Sequence, residues 1–142
     1  MILPDVNLVI HAYNIDSPNH EKAKKWFETT FSGRRPVGLC WVVILAFLRI
    51  STHRAVFRTP LFPSEATDIV RSWLKAPCVE VITPGEEHSE VLFRLLEQLG
   101  TGGNLTSDAH LAALAIEFQA EIATTDADFA RFPGVRWFNP IA

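Results

Sequence analysis

Apolar residues occupy nearly the whole circumference of one segment of the chain, Asp108–Phe118. A surface helix shows only an apolar stripe, so this pattern predicts a helix that is buried on most sides. Its many alanines favour close packing against a sheet. The chain turns at Gln119-Ala120, and Glu121–Thr124 is then predicted to be a short inner strand. This helix–strand unit is expected to form the centre of the fold.

The remaining pattern alternates short apolar runs with segments of helical periodicity. Further strands are predicted at Met1–Leu3, Val37–Cys40, Val79–Ile82 and Val135–Trp137. Further helices are predicted at Asn7–Tyr13, His20–Thr30, Trp41–Thr52, Ser64–Lys75 and His88–Leu99. Strands alternating with helices indicate an α/β fold, with a mostly parallel sheet of about five strands and helices on both faces. No boundary divides the chain, so residues 1–142 are interpreted as one domain.

The cysteine content and the apolar runs indicate where such a chain resides. Cys40 and Cys78 lie in apolar contexts without a metal-binding spacing, so both are predicted to be buried free thiols in a reducing cytoplasm. The longest apolar run, Val42–Leu48, is too short to span a bilayer. The N-terminus lacks the basic region of a signal peptide. We therefore expect a cytoplasmic protein without a membrane association.

Charge is distributed unevenly along the chain, although the net charge is only −3. The segment from Thr29 to Ser64 contains no acidic residue, whereas Leu95 to Ala130 contains no lysine or arginine. The basic segment carries Arg34, Arg35, Arg49, Arg54 and Arg58. Surface charges also cluster by chance. A basic segment beside an acidic one is nevertheless what a metal-dependent nuclease requires, because arginines hold phosphates and carboxylates hold the metal.

Two aspartates directly follow predicted strands, Asp5 after the first strand and Asp126 after Glu121–Thr124. In an open parallel sheet, ligands bind beyond the carboxyl ends of the strands. Asp108, near the start of the apolar helix, can reach over the same edge, with Asp128 at its margin. Each carboxylate has an alternative role, since Asp5 and Asp126 could simply cap the segments that follow them. A carboxylate within an apolar helix is costly unless it is paired or binds a cation, which favours a shared site.

Aspartates without cysteine or histidine at ligand spacing suit a hard cation, Mg²⁺ or Mn²⁺ rather than Zn²⁺. Such a cation activates a water and stabilises a phosphodiester under attack. The metal ligands predicted are Asp5, Asp108 and Asp126, and Asp128 is added as a fourth catalytic candidate. Arg49 and Arg54 are the candidate contacts to a phosphate backbone within the basic segment. His53 and His110 could act as proton shuttles, although a structural role is favoured for both.

Four segments together resemble VapC-type toxins, the PIN-domain ribonucleases of bacterial type II toxin–antitoxin pairs. The matching segments are Leu3–Leu8, Gly38–Trp41 continuing into Ala46–Thr52, Asn104–Ala115 and Thr125–Gly134. The resemblance implies a PIN-like three-layer α/β/α fold and an endoribonuclease that depends on Mg²⁺ or Mn²⁺. It also implies an RNA substrate and a VapB-like antitoxin as partner. By this resemblance, Asp5, Asp108 and Asp126 match three acidic positions of the family site, and Asp128 matches a frequent fourth.

The chain departs from the family pattern at one position. Such domains usually carry a glutamate on the helix that corresponds to Val42–Ser51, and this chain has Ala46 or Phe47 there. We therefore expect weak metal affinity. The alternative is a non-catalytic protein that binds RNA or an antitoxin and has lost a metal ligand.

The apolar content is high for a small monomer, at 48% with four tryptophans and ten phenylalanines. This composition predicts a homodimer with an additional apolar groove for an antitoxin segment. The groove is placed on the predicted helices His20–Thr30 and Trp41–Thr52. Its expected apolar residues are Trp26, Phe27, Phe47 and Leu48.

Two other α/β classes place acids at strand ends. A receiver-like signalling domain would need a lysine after its last inner strand, and none lies between Leu95 and Ala130. A phosphatase of the haloacid-dehalogenase type would need Asp-x-Asp after the first strand, where this chain has Asp5-Val6-Asn7. Both classes therefore rank below the nuclease interpretation.

Overall fold

The computed structural model describes all of residues 1–142. The strands are β1 (Ile2–Pro4), β2 (Val37–Leu39), β3 (Val79–Val81), β4 (Glu121–Ala123) and β5 (Arg136–Phe138). The helices are α1 (Val6–Tyr13), α2 (His20–Phe31), α3 (Trp41–Ser51), α4 (Pro63–Lys75), α5 (His88–Leu99) and α6 (Thr106–Glu117). Two short 3₁₀ segments, Gly103–Leu105 and Ala127–Arg131, precede α6 and follow β4.

The five strands form one sheet in the order β3-β2-β1-β4-β5, and every pairing is parallel. The predicted sheet is thus confirmed, and it is wholly rather than mostly parallel. Successive strands extend from β1 in one direction up to β3, whereas β4 lies on the other side of β1. The order therefore reverses between β1 and β4, which is the position where open α/β sheets bind their ligands.

Alternate residues of the central strands enter two separate cores. Ile2 of β1 and Ala123 of β4 belong to one core, whereas Leu3 and Ile122 belong to the other. Because strand side chains alternate between faces, the cores lie on opposite sides of the sheet. One core contains α1, α2 and α4, the other contains α5 and α6, and α3 contributes to both. The predicted three-layer α/β/α architecture is confirmed.

Helix α6 is buried as its composition predicts. Ala109, Ala112 and Ala113 are each 0% exposed, and their small side chains allow the helix to lie close to the sheet. The preceding helix, α5, ends at Gly100, whose φ of 75° is readily adopted only by glycine. This turn separates α5 from the segment that leads into α6.

The structure corrects the predicted apolar groove on α2 and α3. Phe47 is 0% exposed and Phe27 only 7%, because both pack with Tyr13 and Trp73 in the first core. Neither ring is available to a partner, so that part of the prediction was wrong. The apolar side chains that α3 does expose are Trp41 and Leu45, at 51% and 58%.

Two smaller expectations also need correction. The first strand is shifted by one residue from the predicted Met1–Leu3, since β1 includes Pro4, which is paired with Ala123 of β4. Cys40 is buried as expected, but Cys78 is only half-buried, and its thiol donates a hydrogen bond to the Phe31 carbonyl at 3.2 Å. Both cysteines are free. No helix combines the length and apolar character needed to cross a bilayer.

Candidate acidic active site

Asp5 directly follows β1 and is 6% exposed. Its Oδ1 accepts a hydrogen bond from the backbone N–H of Val6 at 2.8 Å, so it caps α1. Its Oδ2 accepts from the Thr124 hydroxyl at 2.7 Å and from the Asn7 side-chain amide at 3.1 Å. Both carboxylate oxygens are therefore fixed, and the side chain is held at the carboxyl edge of the sheet.

The same hydroxyl connects Asp5 to Asp126, which follows β4. Thr124 Oγ1 accepts a hydrogen bond from the backbone N–H of Asp126 at 3.0 Å. Asp126 Oδ1 accepts in turn from the backbone N–H of Asp128 at 2.8 Å and caps the 3₁₀ segment. The capping alternatives were therefore correct for both aspartates, and they coexist with a shared acidic cluster.

Sequence analysis did not identify Asn7 and Thr124. Asn7 Nδ2 also contacts Thr124 Oγ1 at 3.3 Å, and Asn7 Oδ1 accepts from the backbone N–H of Thr125 at 3.3 Å. These contacts join β1 to β4 at the point where the strand order reverses. A signal was present, because each polar residue lies two positions from an aspartate at a strand end. Its meaning depended on knowing that the two strands are neighbours.

Asp108 lies in the first turn of α6 and is half-buried. Burial, followed by the negative charges of Asp5, Asp126 and Asp128, raises its pKa to about 6. The pKa of Asp5 is also raised, mainly by burial, although its hydrogen bonds from Thr124 and Val6 oppose the shift. Asp5, Asp126 and Asp128 therefore lie close enough to Asp108 for their negative charges to oppose its ionisation.

A cavity of about 530 Å³ opens between α3 and the start of α6. Asp5 and Asp108 supply its acidic groups, and Arg49 supplies its one basic group. The other lining residues are Val6, Val42, Val43, Leu45, Ala46, Ser107 and Leu111. Arg54 does not line the cavity and is exposed, so the structure separates the two candidate arginines.

Of the two residues considered on α3, Ala46 faces the cavity and Phe47 does not. Ala46 lines the cavity together with Asp5 and Asp108, whereas Phe47 is buried in the core on the opposite side of α3. On a helix the adjacent residue points about 100° away, so only one of the two can face the site. The wall contributed by α3 therefore contains no acid.

The histidines considered as proton shuttles lie outside the cavity. His110 Nδ1 is 2.9 Å from His88 Nε2, and His88 Nδ1 is bonded to the Glu117 carboxylate, which joins α5 to α6. His53 Nδ1 accepts from the backbone N–H of Ala55 at 2.9 Å. These contacts agree with structural roles for both His53 and His110.

The types of side chain at this site suit a divalent cation, but their positions do not form a ready set of ligands. All the acidic groups are carboxylates, which Mg²⁺ and Mn²⁺ prefer. The pKa of Asp108 is raised first by burial and then by repulsion from the other carboxylates, and a cation would favour its ionised form. No three histidine, cysteine, aspartate or glutamate side chains are grouped closely enough to form a ready ligand set. Asp5, Asp108 and Asp126 would hold the ion after side-chain adjustment, and their ligand role stays a prediction.

Comparison with known families gives this arrangement its context. The PIN-domain family matches residues 2–135. The chain is a VapC-type PIN domain. It is 40% identical over 141 residues to ribonuclease VapC33 of Mycobacterium tuberculosis, covering 99% of both chains. It is 42% identical to ribonuclease VapC37 of the same organism, covering 100% of this chain and 99% of the relative.

Solved structures show the same fold at lower sequence identity. VapBC2 of Rickettsia felis, bound to a DNA fragment from its promoter, has a TM-score of 0.71 at 18% identity and covers 98% of each chain. VapC20 of M. tuberculosis, described as a toxin that cleaves the sarcin–ricin loop, has a TM-score of 0.68 at 19% identity. It covers 96% of this chain and 99% of its own. The VapC-type assignment excludes the receiver and haloacid-dehalogenase alternatives.

Replacing Asp108 by asparagine is expected to stabilise the metal-free VapC-type domain at pH 7.5 and to change little at pH 4. The folded pKa of about 6 lies above the ordinary value of 3.8, so the folded state favours the protonated acid. The contribution of Asp108 to the free energy of unfolding is therefore fully present below pH 4 and is lost as the pH rises through 6. Because the group is half-exposed, the gain is about 1 kcal/mol rather than the full linkage value. Thermal unfolding in EDTA at both pH values measures it.

The matched control is Asp68→Asn, because Asp68 lies on the exposed surface of α4 and its side chain is 73% exposed. This variant should show no comparable increase in unfolding temperature at pH 7.5. Equal stabilisation of the Asp108→Asn variant at pH 4 and pH 7.5 would contradict the proposed electrostatic cause.

Proposed function

We propose that this protein is the toxin of a type II toxin–antitoxin pair and acts as an endoribonuclease dependent on Mg²⁺ or Mn²⁺. The observation that carries the proposal is the cavity beside the carboxyl end of β1, which Asp5 and Asp108 both line, with Asp126 and Asp128 close enough to raise the pKa of Asp108. Full-length relatives at 40% and 42% identity named as VapC ribonucleases support the reaction type. A free-thiol content that suits a reducing compartment agrees with action in the cytoplasm.

In this mechanism, the oxygen of a water forms a bond to phosphorus while the bond from phosphorus to the bridging oxygen breaks. One proton leaves the attacking water and one is taken up by the leaving oxygen, so the products are two shorter RNAs. A divalent cation bound by Asp5, Asp108 and Asp126 would lower the pKa of the water and offset phosphate charge. Thr124 and Asn7 keep Asp5 in place through their hydrogen bonds to its Oδ2. Asp128 lies at the margin as a further acid.

The basic segment provides the RNA-binding surface in this proposal. Arg49 lies in the cavity, and Arg54 lies in the exposed turn after α3. Arg35 is less available for this role, because its guanidinium is paired with Glu121 at 3.2 Å. Contacts from arginine to phosphate bind RNA without reading its sequence.

A VapB-like antitoxin is the proposed protein partner. VapBC complexes among the solved structures with this fold support it. The exposed Trp41 and Leu45 on α3 supply apolar surface next to the cavity, in place of the buried Phe27 and Phe47. The chain is also proposed to form a homodimer, for which its high apolar content is the reason.

The direct test is an RNA cleavage assay with the purified protein, using bacterial total RNA in EDTA, Mg²⁺, Mn²⁺ or Ca²⁺. We expect discrete fragments in Mg²⁺ or Mn²⁺ and none in EDTA. Because α3 supplies no acid, cleavage should increase as the metal is raised into the millimolar range. Absence of any cleavage at up to about 20 mM of either metal, well above the expected affinity, would favour the non-catalytic binding alternative. An equal rate in EDTA would refute metal dependence.

Replacing Arg54 by alanine is expected to weaken RNA binding and to flatten its salt dependence. Loss of one phosphate contact reduces the slope of log K against log salt by roughly 0.7 for a single strand. Fluorescence anisotropy with a labelled oligoribonucleotide in EDTA, at several salt concentrations, measures that slope. Arg71→Ala is the control, since Arg71 is paired with Asp68 on the distant face of α4. An unchanged slope for Arg54→Ala would mean that this arginine is only a solvated surface charge.

A further inference from the structure

Helix α3 forms one wall of the cavity, and this wall is apolar and basic, whereas the opposite wall is acidic. Its lining positions lie along one helical face: Val42, Val43, Leu45, Ala46 and Arg49. The first four are apolar, so Arg49 is the only polar side chain on this wall. The opposite wall carries Asp5 and Asp108.

Arg49 is not neutralised by the carboxylates around it. The ion pairs of the protein are Arg35–Glu121, Arg71–Asp68 and His88–Glu117, and none includes Arg49. Its side chain donates no hydrogen bond to another part of the chain, and the residue is exposed. The guanidinium is therefore free to bind an anion that enters the cavity.

The apolar neighbours of Arg49 strengthen the electrostatic interaction that its guanidinium can make with a phosphate. Val42, Leu45 and Ala46 displace water from one side of the cavity once a substrate fills it, and an electrostatic interaction is stronger where water is excluded. The planar guanidinium can donate two parallel hydrogen bonds to the non-bridging oxygens of a phosphate. An arginine here can therefore stabilise negative charge on the reacting group as well as attract the RNA.

We propose that Arg49 is a catalytic residue that binds the non-bridging oxygens of the scissile phosphate, from the wall of the cavity that faces Asp5 and Asp108. This inference rests on the proposed ribonuclease function and deepens it, because it gives the two candidate arginines different roles. Arg49 stabilises the charge that accumulates on the phosphate as the new bond to phosphorus forms and the bridging bond breaks. Arg54, outside the cavity, contributes to RNA binding alone.

The test compares Arg49→Ala, Arg49→Lys and Arg54→Ala with the parent protein. The substrate is a short oligoribonucleotide that spans a cleavage site mapped in total RNA. Single-turnover rates at saturating protein report the chemical step, and anisotropy in EDTA reports RNA affinity without metal. Arg71→Ala serves as the neutral control. Thermal unfolding of each variant verifies that it is folded.

We expect Arg49→Ala to lower the saturating cleavage rate by roughly a hundredfold, the usual effect of removing one charge-stabilising donor, with a much smaller change in affinity. Arg49→Lys should recover part of the rate, because it restores the charge but not the paired donors. Arg54→Ala should weaken RNA binding, and Arg71→Ala should leave both the affinity and the saturating rate near those of the parent.

Two results would overturn the inference while the parent still cleaves RNA. One is an Arg49→Ala variant that loses affinity but keeps the saturating rate, as expected for a backbone contact. The other is an Arg49→Ala variant unchanged in both measurements. Failure of the parent to cleave RNA in any metal would instead overturn the proposed function, and the role of Arg49 with it.

Discussion

Replacing Asp5 by asparagine is expected to reduce metal-dependent RNA cleavage by at least about a hundredfold. The substitution removes the most buried of the four carboxylates, at 6% exposure, and with it a charge needed to hold a divalent cation. RNA binding in EDTA should be equal or tighter, because one negative charge facing the phosphate is lost. Cleavage and anisotropy measured side by side separate these two effects.

The Asp5→Asn variant is expected to fold, which makes its loss of activity interpretable. Asparagine is as good an N-cap as aspartate, so the contact to the Val6 N–H can persist at the start of α1. Burial raises the pKa of Asp5, so a neutral side chain is not disfavoured there. Asp68→Asn, on an exposed surface, controls for the general effect of the change. An Asp5→Asn protein that cleaves RNA as fast as the parent in Mg²⁺ would refute the acidic-site mechanism.

Replacing Phe47 by alanine is expected to lower the free energy of unfolding by about 3–5 kcal/mol. The ring is 0% exposed and lies 4.7 Å from the Trp73 ring and 5.5 Å from the Tyr13 ring, centroid to centroid. Its removal leaves a cavity that these large rings cannot close by small shifts. Urea unfolding followed by tryptophan fluorescence and by circular dichroism measures the change.

Leu45→Ala provides the contrasting variant on the same helix. Leu45 is 58% exposed on the opposite side of α3, so its truncation should change the free energy of unfolding by no more than about 0.5 kcal/mol. Similar destabilisation by the two substitutions would show that the assignment of Phe47 to the core and Leu45 to the cavity wall is wrong.

Most helices and strands could be predicted from the hydrophobic pattern of the sequence, because the central elements are buried along a whole face and therefore carry a clear apolar pattern. The apolar circumference of α6 and the short apolar strand β4 were predicted within two residues of their observed bounds, and α5 was predicted with its observed ends. The location of Asp5 and Asp126 also followed, because Asp5 comes directly after β1 and Asp126 three residues after the last residue of β4. What the pattern could not give was the strand order, which depends on tertiary packing rather than on local periodicity.

The error in placing the apolar groove has a physical origin. Periodicity shows that a helix has an apolar face, but it does not show which neighbouring element covers that face. Trp41, Leu45 and Phe47 are all apolar residues of α3, and only the packed structure shows that Phe47 enters the aromatic core. The same limitation applied to the acidic site. Thr124 and Asn7 became recognisable only when β1 and β4 were known to be adjacent.

The link between Asp5 and Thr124 spans 119 positions of sequence and has a consequence for the protein while it is being synthesised. Translation delivers Asp5 first, and Asp108, Thr124 and Asp126 emerge only later, Thr124 being 119 positions behind Asp5. Long-range pairings of this kind form slowly, because the entropy of closing the loop is lost before the contacts stabilise it. A nascent or prematurely terminated chain that lacks β4 therefore cannot assemble the acidic site. The site can form only after the residues up to Asp126 have left the ribosome.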